Sequence, residues 1–125
     1  MNNPPLQIDN LTRNSSLVTA GRVADNFWTR FVGLMGAKGL AEGEGLLITR
    51  CNSIHTHFMR FPIDVLYVSR ELQVVHVDRA MAPWRFGRIH RGSHFVVELP
   101  AGAAEGTEVG DVLAVKGYQR LMVNG

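Results

Sequence analysis

The sequence predicts a single α+β domain, built mostly from an antiparallel, β-barrel-like sheet with one or two short helices. Three observations carry that expectation. The chain has 125 residues, which is one domain's worth. Short β-branched and apolar runs recur along it, separated by turn-rich sequence. Only one stretch repeats its apolar residues at helical spacing.

The elements follow in order. Residues 1–16 hold Pro4, Pro5 and an Asn/Ser-rich tract, and read as a loose leader ahead of a domain at 17–125. Residues 17–23 (LVTAGRV) read as the first strand. A helix is expected over 25–35, with Phe27, Trp28, Phe31, Val32 and Met35 forming a buried stripe. Asp25 can cap its free N–H groups and Gly36 can end it. Five glycines between Gly33 and Gly45, interleaved with Leu34, Met35 and Leu40, mark a structured loop. Strands are expected at 46–49, 64–68, 72–77, 95–99 and 112–115, with one more possible over 118–123. The runs at 64–68 and 72–77 are close enough for a hairpin. Ser69-Arg70-Glu71 lacks Asn-Gly or Asp-Gly, which favours a longer or bulged connection over a tight one. Many short strands with turn signals, one helix and little alternation with polar residues suggest a closed or half-closed antiparallel barrel.

Composition narrows the function. Hydrophobic residues make up 46% and charged residues 19%, an ordinary globule and not a disordered chain. The single Cys51 excludes an internal disulfide and suits a reducing cytoplasm. The N-terminus lacks the basic start and apolar run of a secretory signal, and no apolar stretch is long enough to span a bilayer. A formal charge of +2 commits the chain to no polyanion.

The chemically dense segment is residues 51–68, CNSIHTHFMRFPIDVLYV, with His55, His57, Met59, Arg60, Pro62 and Asp64 inside ten positions. Pro62 holds Phe61 extended, so the chain enters the following strand without a helical turn. Asp64 at the mouth of an apolar strand needs solvent, hydrogen bonds or a partner, and Arg60 or a histidine is nearest in sequence. Taken in order, FVGLMG, GLLI, HTHFMRFPIDVLYV and VELPAG resemble the domain of unknown function 192 family over about residues 17–117. The resemblance implies a small mixed β-barrel with one or two short helices, and no assigned activity. The matching positions are Gly33, Leu34, Met35, Met59, Arg60, Asp64, Glu98, Pro100 and Gly102. Many members carry Trp just before the methionine, where this chain has His57-Phe58-Met59.

Several chemistries can be weighed. His55 and His57 would share one face of a strand and could chelate zinc, with a third ligand from His76, His90, His94 or a carboxylate. A straight strand would hold Cys51 about 13 Å from His55, out of reach of that site without a bend or bulge, and a thiolate–imidazolium pair would need the backbone to fold the two together. GLMGAKGL lacks the spacing and the Ser/Thr of a phosphate-binding loop. Residues 79–94 interleave Arg79, Arg85, Arg88 and Arg91 with Trp84 and Phe86, as a single-strand stacking surface would. Acidic residues at 98, 105, 108 and 111 follow and could pair with these arginines.

The leading expectation is a non-catalytic module, without a cofactor, that binds a small molecule or a protein in the cytoplasm. Its surface would be a concavity at His57, Met59, Arg60, Asp64, Trp84 and Glu98. A metal-dependent enzyme or metal-binding protein using His55, His57 and Asp64 is the alternative. A nucleic-acid binder using Arg85, Arg88 and Arg91 is the third reading, and it predicts affinity falling steeply with salt.

Overall fold

A computed structural model describes residues 5–118. Its seven strands are β1 (Leu6–Asn10), β2 (Ser15–Ala24), β3 (Glu44–Thr49), β4 (Ile63–Val68), β5 (Val74–Met81), β6 (Phe95–Pro100) and β7 (Leu113–Lys116), with one helix, α1 (Phe27–Val32), between β2 and β3. They form one sheet in the order β5-β4-β6-β3-β2-β1-β7. Every pairing is antiparallel except β2 with β3, whose connection carries α1. The two outer strands return toward each other. Val74 N–H donates to Asp111 O (2.9 Å) and Leu113 N–H to Leu72 O (2.8 Å), which curls the sheet into the half-barrel that the strand pattern predicts.

The weak alternation in the sequence has a clear cause, since the central strands are buried on both faces. In the register of β4, β6 and β3, Leu66, Val97 and Leu47 point to one side, while Val65, Glu98 and Leu46 point to the other. The first set joins Ile8, Val18, Phe95 and Leu99 in the core inside the curl. The second belongs to a separate core with Ile48, Ile54, Met59, Tyr67 and Val96. That outer core is roofed by α1 and by two loops, residues 50–62 and 82–94. All six residues of β4 are buried as a result.

Two expectations are corrected here. Residues 6–10 are not a loose leader. They form β1, between β2 and β7, and Ile8 is completely buried. Asn10 at the strand end is buried as well. Its amide donates to Asp111 Oδ2 (2.9 Å) and Thr107 Oγ1 (3.1 Å), and Arg13 Nε donates to the same carboxylate (3.0 Å). The helix is also shorter than expected, because its cap is Asn26 and not Asp25. Asn26 Oδ1 accepts from Thr29 N–H (2.9 Å), and Asn26 N–H donates to Thr29 Oγ1 (3.3 Å) in a reciprocal capping box. Gly33 ends the helix at φ 51°, three residues before Gly36. Trp28 and Phe31 are then 67% and 56% exposed, and Leu34 is the residue buried there. The hairpin has the longer, bulged connection, with Leu72 at φ 66° and Ser69 N–H donating to Gln73 O (2.9 Å). Beyond Tyr118, the extra strand considered for 118–123 lies outside the described residues. No helix among the described residues is long and apolar enough to cross a membrane.

Candidate functional site

The segment 51–59 is not a strand, but it pairs loosely with the loop at 84–90 across the outer face of the sheet. Gly87 N–H donates to Ile54 O (2.8 Å), Thr56 N–H to Arg85 O (2.8 Å), Trp84 N–H to Thr56 O (2.9 Å) and His90 N–H to Asn52 O (2.8 Å). Thr56 pins the two together. Its buried hydroxyl donates to Ala82 O (2.6 Å) and accepts from Arg85 N–H (2.8 Å). Gly87 is required by closeness, because a Cβ there would lie 2.9 Å from Ile54 O and 3.2 Å from the Tyr67 hydroxyl.

Between this roof, α1 and the sheet lies a cavity of about 190 Å³. Its lining is largely apolar and includes Phe31, Leu34, Met35, Ile48, Ile54 and Met59. Glu98 stands in its wall. The side chain sits mid-sheet, opposite Leu46 on β3 and Val65 on β4, and is only 2% exposed. Its Oε1 has no hydrogen-bond partner among the described residues. Burial alone pushes its pKa from 4.5 up to about 8, so at neutral pH the group is a carboxylic acid and a donor. Gly33 leaves the space above it open, since a Cβ there would come within 3.6 Å of Oε1. The nearby cation is committed elsewhere. Arg30 donates to Thr49 O (2.9 Å) and Arg50 O (2.7 Å).

Cys51 lines the same cavity as His55, because the chain bends between them where a straight strand was expected. Its thiol donates to Ser53 O (2.9 Å), and burial raises its pKa. An activated nucleophile needs the opposite shift.

The six residues expected to share one concavity separate. Met59 and Glu98 line the cavity. Asp64 pairs in register with Leu99 and therefore points to the opposite face of the sheet from Glu98. Its partner is neither Arg60 nor a histidine. Oδ1 accepts from Ala80 N–H (2.8 Å), and Oδ2 accepts from Gly102 N–H and Ala104 N–H (both 2.9 Å). Asp64 thus latches β4 to β5 and to the turn after β6. Arg60 is exposed. His57 and Trp84 belong to a run of rings outside the cavity. His57 lies 4.4 Å from Phe86 and 5.5 Å from Trp84, centroid to centroid, and Trp84 lies 4.8 Å from Phe58.

His55 and His57 stand 5.5 Å apart, ring to ring, and His57 N–H donates to His55 Nδ1 (3.2 Å). Of the third ligands considered for them, His76 and His90 instead meet each other, beside Asp78. The arginines of 79–94 also divide. Arg79 is held by Ala104 O (2.6 Å) and Thr107 O (2.5 Å) and lies 3.7 Å from Glu108. Arg85 and Arg88 border an open cavity next to His76 and His90, and Arg91 is exposed. Of the acids expected to pair with these arginines, Glu108 lies against Arg79, whereas Asp111 pairs with Arg13, outside that stretch. Thr56, Tyr67, Asp78 and Gly87 had not been singled out. Asp78 follows His76 by two on a strand, a same-face spacing visible in the sequence, whereas the roles of Thr56 and Gly87 depend on loop contacts that no local pattern announces.

A curled seven-stranded sheet with one short helix, roofed on its outer face around a buried acid, defines a class of small half-barrel domains. Residues 10–115 match the profile of the DUF192 family, described as "Uncharacterized ACR", and the chain belongs to that family. It is 38% identical over 109 residues to a UPF0127 protein of Pyrococcus furiosus, covering 83% of this chain and 93% of that one. A UPF0127 protein of Thermococcus sibiricus is 35% identical over 109 residues, covering 81% of this chain and 70% of the relative. Among solved structures, a protein of unknown function from Novosphingobium aromaticivorans DSM 12444 superimposes with a TM-score of 0.76 at 19% identity, covering 88% of this chain and 83% of that one. These likenesses agree with the barrel-like fold and carry no reaction.

Proposed function

We propose that this chain is a small-molecule-binding module whose ligand occupies the Glu98 cavity. The observation that carries the reading is the Oε1 of Glu98, without a hydrogen-bond partner among the described residues, beside an apolar space. Leaving a buried polar group unpaired costs about 1–3 kcal/mol, and a ligand that bonds to it recovers that cost. At about 190 Å³ the cavity suits a molecule between benzene and indole in size, since an apolar cavity of roughly 150 Å³ accommodates benzene. The acid is neutral near pH 7, so the ligand is a mostly apolar, uncharged molecule with one oxygen or nitrogen to accept its proton. The raised pKa of Cys51 supports binding over thiol catalysis. A single thiol suits the reducing cytoplasm as the place where the module works.

Calorimetric titration of the full chain with phenol, cyclohexanone and toluene tests this. Phenol and cyclohexanone should bind more tightly than toluene, and Glu98→Leu should abolish that preference. Equal affinities in the native chain, or a preference that survives Glu98→Leu, would remove Glu98 from the site. Preferred binding of benzylammonium would show an ionised carboxylate and overturn the neutral-ligand reading.

A further inference from the structure

We infer that His76, Asp78 and His90 form a binding site for a divalent transition-metal ion of the zinc type, separate from the Glu98 cavity. His76 and Asp78 are two apart on β5 and project from the same face. His90 reaches them from the roof loop, where its backbone N–H is anchored on Asn52 O (2.8 Å). One ligand atom from each residue lies within 4.8 Å of the other two, and His76 Nε2 is already 2.9 Å from Asp78 Oδ1. Around a tetrahedral ion with bonds of about 2.0–2.2 Å, ligand atoms stand roughly 3.3 Å apart.

One further feature points to a ligand. The Nε2 of His90 is buried without a hydrogen-bond partner among the described residues. The imidazoles of His76 and His90 are stacked, 4.0 Å between centroids and 15° from parallel, so one ring must turn out of the stack for both to ligate a single ion. The Tyr67 hydroxyl donates to Asp78 Oδ2 (2.9 Å), which orients the carboxylate and leaves Oδ1 for the ion. Tyr67 pairs in register with His76, so the sheet itself sets this outer contact. Gly87 keeps the roof close enough for the assembly, since its Cβ position is 3.2 Å from that hydroxyl.

Two imidazoles and one carboxylate are a ligand set for zinc with a position left open, or for non-haem iron. The remaining position faces a cavity bordered by Arg85, Phe86 and Arg88. The sequence had pointed to His55 and His57 for metal. The structure gives the better set to residues whose third member arrives only through the folded loop.

The test is titration of the chelator-stripped full chain with zinc chloride, read by calorimetry, with cobalt(II) absorption as a second readout. One equivalent should bind, with the visible bands of a low-coordinate cobalt site. His90→Ala and Asp78→Asn should each weaken binding by at least about 100-fold, and Tyr67→Phe by about 10-fold. His55→Ala with His57→Ala should leave it unchanged. Melting curves in chelator establish that each variant is folded. Absence of stoichiometric binding, retention of it in a folded His90→Ala chain, or its loss with His55 and His57 would each overturn the assignment.

Discussion

Replacing Glu98 by glutamine keeps the shape of the side chain and removes only its ability to ionise. In the unfolded chain the carboxyl ionises near 4.5, whereas burial in the fold delays this to about 8. Between these values the native chain holds a proton that the unfolded chain has released, so stability falls as pH rises. At 1.36 kcal/mol per tenfold change in proton affinity, the penalty is about 1 kcal/mol at pH 5, about 3 at pH 7 and about 5 at pH 9, where it levels off. Small domains are stable by only about 5–15 kcal/mol, so the alkaline loss is a large fraction of the total. Urea denaturation of both proteins between about pH 5 and 9 measures it. Glu98→Gln should be the more stable protein, by a margin that widens with pH as calculated. A pH-independent margin, or a variant less stable throughout, would refute the argument, because Glu98 would then be ionised and paired in the native state.

Other perturbations read other parts of the fold. Asp64→Asn replaces one acceptor oxygen by an NH2 group facing backbone N–H donors, and should cost about 3 kcal/mol in chemical denaturation; a neutral result would mean the three amides find water. Ile8→Ala opens a cavity beneath β1 and should cost about 3 kcal/mol, whereas a residue in a loose leader would cost nothing. Gly87→Ala pushes a methyl group against Ile54 O and Tyr67. It should speed hydrogen exchange at Thr56 and Gly87 while the central strands keep their protection. The carboxyl of Asp111 is lowered from 3.8 to about 2, first by the Arg13 hydrogen bond and, against some desolvation, also by those from Asn10 and Glu108 N–H. Its contribution to stability is complete above about pH 4 and disappears as pH falls toward 2. Asp111→Asn should therefore flatten that acid limb of the melting-temperature profile.

The elements that could be read in the sequence were those whose residues act locally. β4 and β6 are apolar apart from Asp64 and Glu98 because both faces are covered, and such runs need no knowledge of partners. β1 hid because its inward positions are Leu6, Ile8 and Asn10, and the polar third member masks the alternation in a segment flanked by prolines, asparagines and serines. Its burial depends on a hydrogen-bond partner, Asp111, a hundred residues away. The capping of α1 turned on whether Asp25 or its neighbour Asn26 took the cap, which Thr29 decides by returning the hydrogen bond. Glu98 was recognisable as an acid inside an apolar strand. Its separation from Asp64 was not, because that follows from the register of β4 on β6. The pairing of His76 with Asp78 was present in the spacing, whereas His90 joins them only because Gly87 lets the roof approach Ile54.

Methionine methyl NMR of the full chain, titrated with phenol, tests the binding proposal most directly. Met35 and Met59 line the Glu98 cavity, while Met81 borders the other one. If the module binds as proposed, the methyl signals of Met35 and Met59 shift saturably and that of Met81 stays in place. Unmoved signals for Met35 and Met59, or a saturable shift confined to Met81, would contradict the account.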